Sequence, residues 1–361
     1  MHTQKTLHHK AAHHIKKLKV PLTIGAAMLL AAVAFAFVPH EWDTSGALAD
    51  ASPPKPKPVL DKAAYDRRVL ALANYPALVG TSTASTTPHL WPAKAVYPNA
   101  GALLPFRRIV AYYGNFYSKG MGVLGQYPED EMLIKLKGEA ALWQAADPTT
   151  PVTPAIDYIA VTAQASPSAT GKYILRMPDT QIDRALELAA KVDGIVILDV
   201  QVGQSTLQTE LPLLEKYLSM SNVHLAIDPE FSMKHGEKPG RVIGTFSSAD
   251  VNYAATYLAG LVQANDLPPK ILVVHRFTED MVTGYKNITP LPEVQIVMDM
   301  DGWGFAAKKI NTYNTVIYPE PVQFAGFKLF YKNDLLAPST RMLTKEEILE
   351  LRPRPIFIQY Q

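Results

Sequence analysis

Eight short apolar segments between residues 109 and 331 constrain the fold of this chain more than any other feature of its sequence. Each segment is rich in β-branched residues, is apolar along most of its length and ends in polar residues, as strands buried on both faces do. Helix-like segments lie between them, the clearest at residues 129–146 and 249–264. The predicted strands are Ile109–Gly114, Tyr158–Thr162, Tyr173–Met177, Gly194–Gln201, Val223–Phe231, Ile271–Phe277, Val294–Gly302 and Phe324–Tyr331.

Strands that alternate with helices in this way predict an α/β fold with a single (β/α)8 TIM barrel, which we assign to residues 108–361. The alternative is an open doubly wound sheet. No glycine-rich phosphate-binding turn follows any of the predicted strands, and this favours the barrel.

The N-terminal region has the pattern of an export signal or a membrane anchor. Residues 1–19 carry five lysines and no acid, and residues 20–38 form an uncharged apolar run. A basic stretch before an apolar run is typical of a signal peptide or of a single membrane-spanning anchor. We therefore assign residues 1–51 to this segment and residues 52–107, which begin with SPPKPKP, to a proline-rich linker and N-terminal extension. The pattern predicts a protein that is secreted or anchored to the bacterial cell membrane, outside the cytoplasm.

Charge and cysteine content exclude several classes of function. The chain of 361 residues has a formal net charge of +2, and its five N-terminal lysines leave the remainder with a net negative charge. Nucleic-acid binding needs clustered lysine and arginine, so we expect no nucleic-acid partner. The chain has no cysteine, which excludes disulfides, thiolate chemistry and a lipoprotein anchor.

Polar and charged residues stand where most of the predicted strands end. In a TIM barrel the carboxyl ends of the strands form the active site. Side chains two apart on a strand point to the same face. We therefore expect a shared face for Asp199 and Gln201, for Asp228 and Glu230, and for Asp299 and Asp301. The residues that we expect at the site are Tyr113, Arg176, Asp199, Gln201, Asp228, Glu230, His275, Asp299, Asp301, Trp303 and Lys328.

Converging carboxyl groups favour acid/base chemistry on a glycosidic bond. Like charges repel, so some of these groups should have raised pKa values, as a general acid needs. Asp199 and Glu230 end neighbouring strands, which would bring them within reach of one sugar linkage. Trp303 is of the type that stacks on sugar rings, and Tyr112 or Tyr113 is suited to the same task.

The segments GIVILDVQVGQS, VHLAIDPEF, ILVVHRF and MDMDGWG resemble those of an uncharacterised group of exported bacterial proteins. More distantly, the layout is similar to TIM-barrel glycoside hydrolases that act on cell-wall or secreted polysaccharides. The resemblance implies Glu230 as catalytic acid and Asp228 or Asp199 as its partner, with no cofactor. The chain lacks the Asp-x-x-Asp-x-Asp-x-Glu run of family-18 chitinases, and Gln201 stands where that run would end in its acid.

Three interpretations follow. The first is an exported glycoside hydrolase-like protein whose partner is a cell-envelope or secreted polysaccharide, with contact to the membrane through residues 20–38 if that segment is uncleaved. The second is a metal-dependent hydrolase that uses Asp199, Asp228, Glu230 and His275. The third is a non-catalytic carbohydrate-binding or envelope-structural protein, an interpretation that the amide of Gln201 favours.

Overall fold

A computed structural model describes residues 59–76 and 89–361 of the chain. The predicted export segment and the proline-rich stretch that follows it lie outside the described residues. Within the described part, no helix is both long enough and apolar enough to cross a membrane.

Eight parallel strands close into a barrel with helices between them, which is a (β/α)8 TIM barrel. In chain order the sheet strands are β1 (Arg108–Gly114), β2 (Val152–Ala163), β3 (Ile174–Arg176), β4 (Ile195–Val200) and β5 (Val223–Ile227), and then β7 (Lys270–Arg276), β9 (Val294–Met300), β10 (Phe324–Leu329) and β11 (Phe357–Tyr360). All except β3 belong to the barrel, and β1 closes it by pairing with both β2 and β11. Strands β6 (Phe246–Ser247) and β8 (Val282–Thr283) form a separate two-stranded pair.

The helices cover the outside of the barrel and its N-terminal end. They are α1 (Lys62–Ala73), α2 (Val123–Gln126), α3 (Glu129–Ala146), α4 (Asp179–Ala190), α5 (Leu207–Glu210), α6 (Glu215–Leu218), α7 (Ser248–Ala264), α8 (Ala306–Thr312) and α9 (Lys345–Leu349). The sequence predicts the bounds of α3 correctly. Ser247 caps α7, since its side chain accepts from the backbone N–H of Asp250 while the Asp250 carboxylate accepts from the backbone N–H of Ser247.

One predicted strand lies outside the barrel, and one strand of the barrel was not predicted. Tyr173–Met177 contains β3, which pairs antiparallel with β2 outside the barrel. A parallel neighbour needs a long crossover, commonly a helix, and the short stretch between Ala163 and Ile174 contains no helix. The place in the barrel is filled by β11, which the sequence analysis missed because its apolar run is short and follows Pro353 and Pro355 at the end of the chain.

The interior of the barrel changes from apolar to polar along the strands. At the N-terminal ends a cluster that includes Ile109, Ile195, Ile271 and Phe324 fills the interior. Tyr65 of α1 belongs to this cluster, and the side-chain amide of Gln295 bonds both backbone groups of Leu104. Because side chains alternate along each strand, the next inward positions toward the C-terminal ends carry the polar residues of the candidate site.

Candidate functional site

His275, on β7, is the centre of the buried polar layer. Its Nε2 lies 2.8 Å from Oδ2 of Asp199 on β4. Its Nδ1 lies 3.3 Å from Oδ2 of both Asp299 and Asp301, as ion pairs without good hydrogen-bond alignment. Burial by itself lowers the pKa of His275, but the hydrogen bond to Asp199 and the other carboxylates raise that pKa well above its usual value. The ring is therefore an imidazolium at neutral pH and ties carboxylates of two strands together.

Asp301 carries a second cation, Lys328 of β10. Lys328 Nζ lies 3.0 Å from Oδ1 of Asp301, and both side chains are almost completely buried. The same ammonium lies 3.9 Å from the centre of the Tyr113 ring, a cation–π contact. Burial favours a neutral lysine, yet the surrounding carboxylates raise the pKa of Lys328, so it stays charged.

Asp228 and Glu230 follow β5, which ends at Ile227, earlier than the sequence predicts. Residues 229–231 form a 3-10 turn, and Asp228 caps it by accepting from the backbone N–H of Glu230 at 3.0 Å. The turn, and not strand alternation, therefore sets the direction of Glu230. Burial and then the charge of Asp301 raise the pKa of Glu230 to about 7, while burial raises the pKa of Asp228 well above its usual range.

Gln201 connects this carboxyl pair to the aromatic wall of the site. Its Nε2 donates to the hydroxyl of Tyr113 at 3.2 Å and lies 3.5 Å from Oδ2 of Asp228. Its Oε1 accepts from the backbone N–H of Ala163 at 3.0 Å. An amide serves all these partners because it both donates and accepts, which a carboxylate cannot do.

Sequence reasoning missed two residues of the polar layer, Asp157 on β2 and Gln359 on β11. Gln359 Nε2 donates to Oδ2 of Asp157 at 2.6 Å, and both side chains are fully buried. Burial and the neighbouring Asp199 raise the pKa of Asp157 to about 8. The signal in the sequence was an acid inside an otherwise apolar run, AIDYIAV. It was missed because β2 begins at Val152, six residues before Tyr158, where the predicted strand starts.

A cleft of about 610 Å³ opens above this layer, at the C-terminal ends of the strands. Asp199 and Asp299 are fully buried and do not line it, and Trp303 stands at its edge with 48% of its surface exposed. The residues from the predicted site that line the cleft are Tyr113, Gln201, Asp228, Glu230, Asp301, Trp303 and Lys328.

Arg176 does not reach the cleft. It lies on β3, outside the barrel, and forms a two-pronged ion pair with Glu210 at 2.7 and 2.9 Å. This position follows from the antiparallel pairing of β3, and the guanidinium serves to neutralise a fully buried carboxylate.

Metal binding was one alternative for the same acids. Across residues 59–76 and 89–361, no group of three or more His, Asp or Glu side chains has the arrangement of a metal site. The candidate set is divided, since Asp199 contacts His275 whereas Asp228 contacts Gln201 and the backbone of Glu230.

Comparisons with known proteins return structural neighbours alone. No protein-family model matches the chain, and no curated protein sequence matches it. A GH5-4 broad specificity endoglucanase from Clostridium acetobutylicum overlaps with a TM-score of 0.36 and 11% identity, over 71% of this chain and 86% of that one. A GH18 chitinase from Pseudoalteromonas aurantia overlaps with a TM-score of 0.33 and 12% identity, over 70% of this chain and 93% of that one.

A trimodular GH5_4 subfamily endoglucanase gives a TM-score of 0.36 and 10% identity over 72% of this chain, which spans only 56% of that protein. All three neighbours named are glycoside hydrolases. At these scores the likeness carries no argument about this chain, and its barrel architecture is established by the strand pairing.

Proposed function

We propose that this chain is a glycoside hydrolase that cleaves a polysaccharide at the cleft above β5 and β9, with Glu230 as general acid. The observation that carries the proposal is that two carboxyl groups line one cleft but have different environments. Glu230 forms no ion pair with any described residue, and its pKa is raised to about 7. Asp301 is held between the ammonium of Lys328 and the imidazolium of His275. A carboxyl group with a raised pKa is suited to act as the general acid, and one that cations hold in place is suited to be its partner.

The reaction divides between these two groups. Glu230 gives its proton to the glycosidic oxygen as the bond to the anomeric carbon breaks. The hydroxyl of a water molecule then bonds to that carbon, and the remaining proton of the water passes to Asp301 if Asp301 is the base, or to Glu230 if Asp301 has acted as nucleophile. Asp301, as base or nucleophile, supports the positive charge that develops on the sugar. Lys328 and His275 keep Asp301 fixed, and Asp199 orients His275 from the opposite side.

Asp228 has a positioning role in this proposal. It is fully buried and its Oδ1 holds the backbone N–H of Glu230 at 3.0 Å. Burial raises the pKa of Asp228 well above its usual range, so we assign the charged role to Asp301, which is paired with Lys328, and not to Asp228.

The substrate and location that we propose follow from the sequence. A basic segment before an apolar run supports export, and an exported glycosidase meets envelope or secreted polysaccharides. Trp303, exposed at the edge of the cleft, supports sugar binding because an aromatic face packs against the C–H groups of a sugar ring.

The test is release of new reducing ends. The purified chain is incubated with peptidoglycan and a panel of bacterial exopolysaccharides, beside Glu230→Gln, Asp301→Asn and Glu187→Gln. Glu187 is exposed on α4 and does not line the cleft, so its variant controls for loss of a carboxylate. We expect release by the wild type and Glu187→Gln and a loss of at least ~100-fold in the two site variants.

Equal activity in Glu230→Gln would refute the assignment of the acid. Saturable glycan binding with no release by the wild type would instead support a carbohydrate-binding protein, in which Gln201 and Asp228 form a static polar wall.

A further inference from the structure

A lysine and a tryptophan stand together at one side of the cleft. Lys308, in the first turn of α8, and Trp303, in the loop after β9, both line the cavity. Lys308 Nζ lies 4.8 Å from the centre of the Trp303 ring. Lys309 and Lys328 are ion-paired with Asp334 and Asp301, whereas Lys308 has no carboxylate partner among the described residues. The cleft therefore contains a cation that the fold does not neutralise.

The stem of Lys308 packs against a glycine. Gly304 lies between Trp303 and α8, and a Cβ at this position would come within 2.8 Å of Lys308 Cδ. The absence of a side chain at Gly304 lets the lysine stem lie on the loop backbone. This packing directs the ammonium over the Trp303 ring.

Asp334 fixes the loop that carries Trp303. Its Oδ1 accepts from the backbone N–H of Gly304 at 3.0 Å, and its Oδ2 pairs with Lys309 Nζ at 2.8 Å. Lys309 Nζ also donates to the carbonyl oxygen of Lys328 at 2.8 Å. These buried bonds join the loop after β9 to the loop after β10, so they fix the backbone that carries Lys308 and Trp303.

The two lysines that line the cleft differ in their pairing. Three acids line it, Asp228, Glu230 and Asp301, against Lys308 and Lys328. Burial raises the pKa of Asp228 well above its usual range and that of Glu230 to about 7, which weakens the negative charge of both groups near neutral pH. Asp301 is already paired with Lys328, at 3.0 Å. Of the two lysines in the lining, Lys308 is therefore the one without a carboxylate partner among the described residues.

We propose that Lys308 and Trp303 form a subsite for an acidic sugar, so that the substrate is a polysaccharide bearing carboxylate or sulfate groups. The inference rests on the proposed glycosidase function and names its substrate class. Lys308 Nζ would pair with the anionic substituent, and the Trp303 side chain would pack against the same ring. A neutral glycan would offer the ammonium only hydroxyl oxygens and no opposite charge.

The test separates binding from cleavage. Glu230→Gln serves as the starting protein so that the ligand is not consumed, and calorimetry measures its affinity for three oligosaccharides of matched length. These are an oligogalacturonate, a sulfated galactan and a cello-oligosaccharide. The variants added to it are Lys308→Gln, Lys308→Arg and Lys137→Gln, the last a control at an exposed lysine on α3.

We expect one of the acidic ligands to bind ~10-fold or more tightly than the neutral one, with an affinity that falls as salt is added. Lys308→Gln should remove most of that preference, whereas Lys308→Arg and Lys137→Gln should keep it. Preference for the oligogalacturonate assigns a carboxylate, and preference for the sulfated galactan assigns a sulfate ester.

Equal affinity for acidic and neutral ligands, or a preference untouched by Lys308→Gln, would overturn the subsite, as would a lack of binding to both acidic ligands. Cleavage of neutral glycans by the wild type in that case would leave the glycosidase proposal intact. Acid-selective binding that depends on Lys308, with no cleavage by the wild type, would refute the glycosidase and keep the subsite.

Discussion

Asp157→Asn is expected to stabilise the folded chain at neutral and alkaline pH, because the fold buries this carboxyl group without a cation bonded to it. The side chain is fully buried on β2. Its Oδ2 accepts one hydrogen bond, from Gln359 at 2.6 Å, and Oδ1 has no partner among the described residues. Burial and the neighbouring Asp199 raise its pKa to about 8, whereas an aspartate in an unfolded chain has a pKa of about 3.9.

The difference between the two pKa values sets the size of the effect. The folded chain binds a proton that the unfolded chain has lost, so the contribution of Asp157 to stability is complete below about pH 4 and declines as pH rises. Each pH unit between about 4 and about 8 lowers the free energy of unfolding by about 1.4 kcal/mol. Asparagine does not titrate and still accepts from Gln359. The gain of Asp157→Asn over the wild type should therefore grow by about 4 kcal/mol between pH 5 and pH 8.

Urea unfolding at pH 5, 6.5 and 8 measures this difference. Asp147→Asn is the matched control. Burial by itself raises the pKa of Asp147. Hydrogen bonding from Thr149 and the guanidinium of Arg108 outweigh this effect and lower that pKa to about 2. That carboxyl group is ionised in both states above pH 5, so the control should lose the same stability at every pH. A difference for Asp157→Asn that does not change from pH 5 to pH 8 would refute the reasoning.

Three further predictions concern the site. The kcat/KM for glycan cleavage should fall about tenfold per pH unit above pH 7, because Glu230 then loses the proton it donates, and a flat profile up to pH 9 would contradict this role. Lys328→Met should move that decline to higher pH, since the Lys328 ammonium lowers the pKa of Glu230, and should reduce the rate on the order of 100-fold. Gly326→Ala should lower the free energy of unfolding, measured with urea, by about 1–3 kcal/mol, because the new Cβ would come within 2.5 Å of Asp299 Oδ1. Gly138→Ala is the control: its Cβ would enter open space on α3 and should not destabilise the chain.

The sequence by itself determined the barrel and the inward direction of part of the polar layer. Both follow from local geometry, because side chains on a strand alternate and apolar runs with polar ends repeat along the chain. Asp299 and Asp301, two apart at the end of β9, do meet His275 from the same side. Alternation needs no knowledge of the neighbouring strand, so a single sequence was sufficient.

Only the tertiary structure decided which strands close the barrel and which carboxyl groups keep their protons. Whether Ile174–Arg176 or Phe357–Tyr360 fills a place in the sheet depends on crossover length and on pairing with β1. As a result, Arg176 pairs with Glu210 outside the barrel. Gln359 contacts Asp157 inside it, although the two residues are 202 positions apart in the chain. Protonation depends on burial and on the summed charge of groups from several strands. The proton on Glu230 and the charge on His275 are therefore properties of the closed barrel, because no single segment of the chain contains the partners that set them.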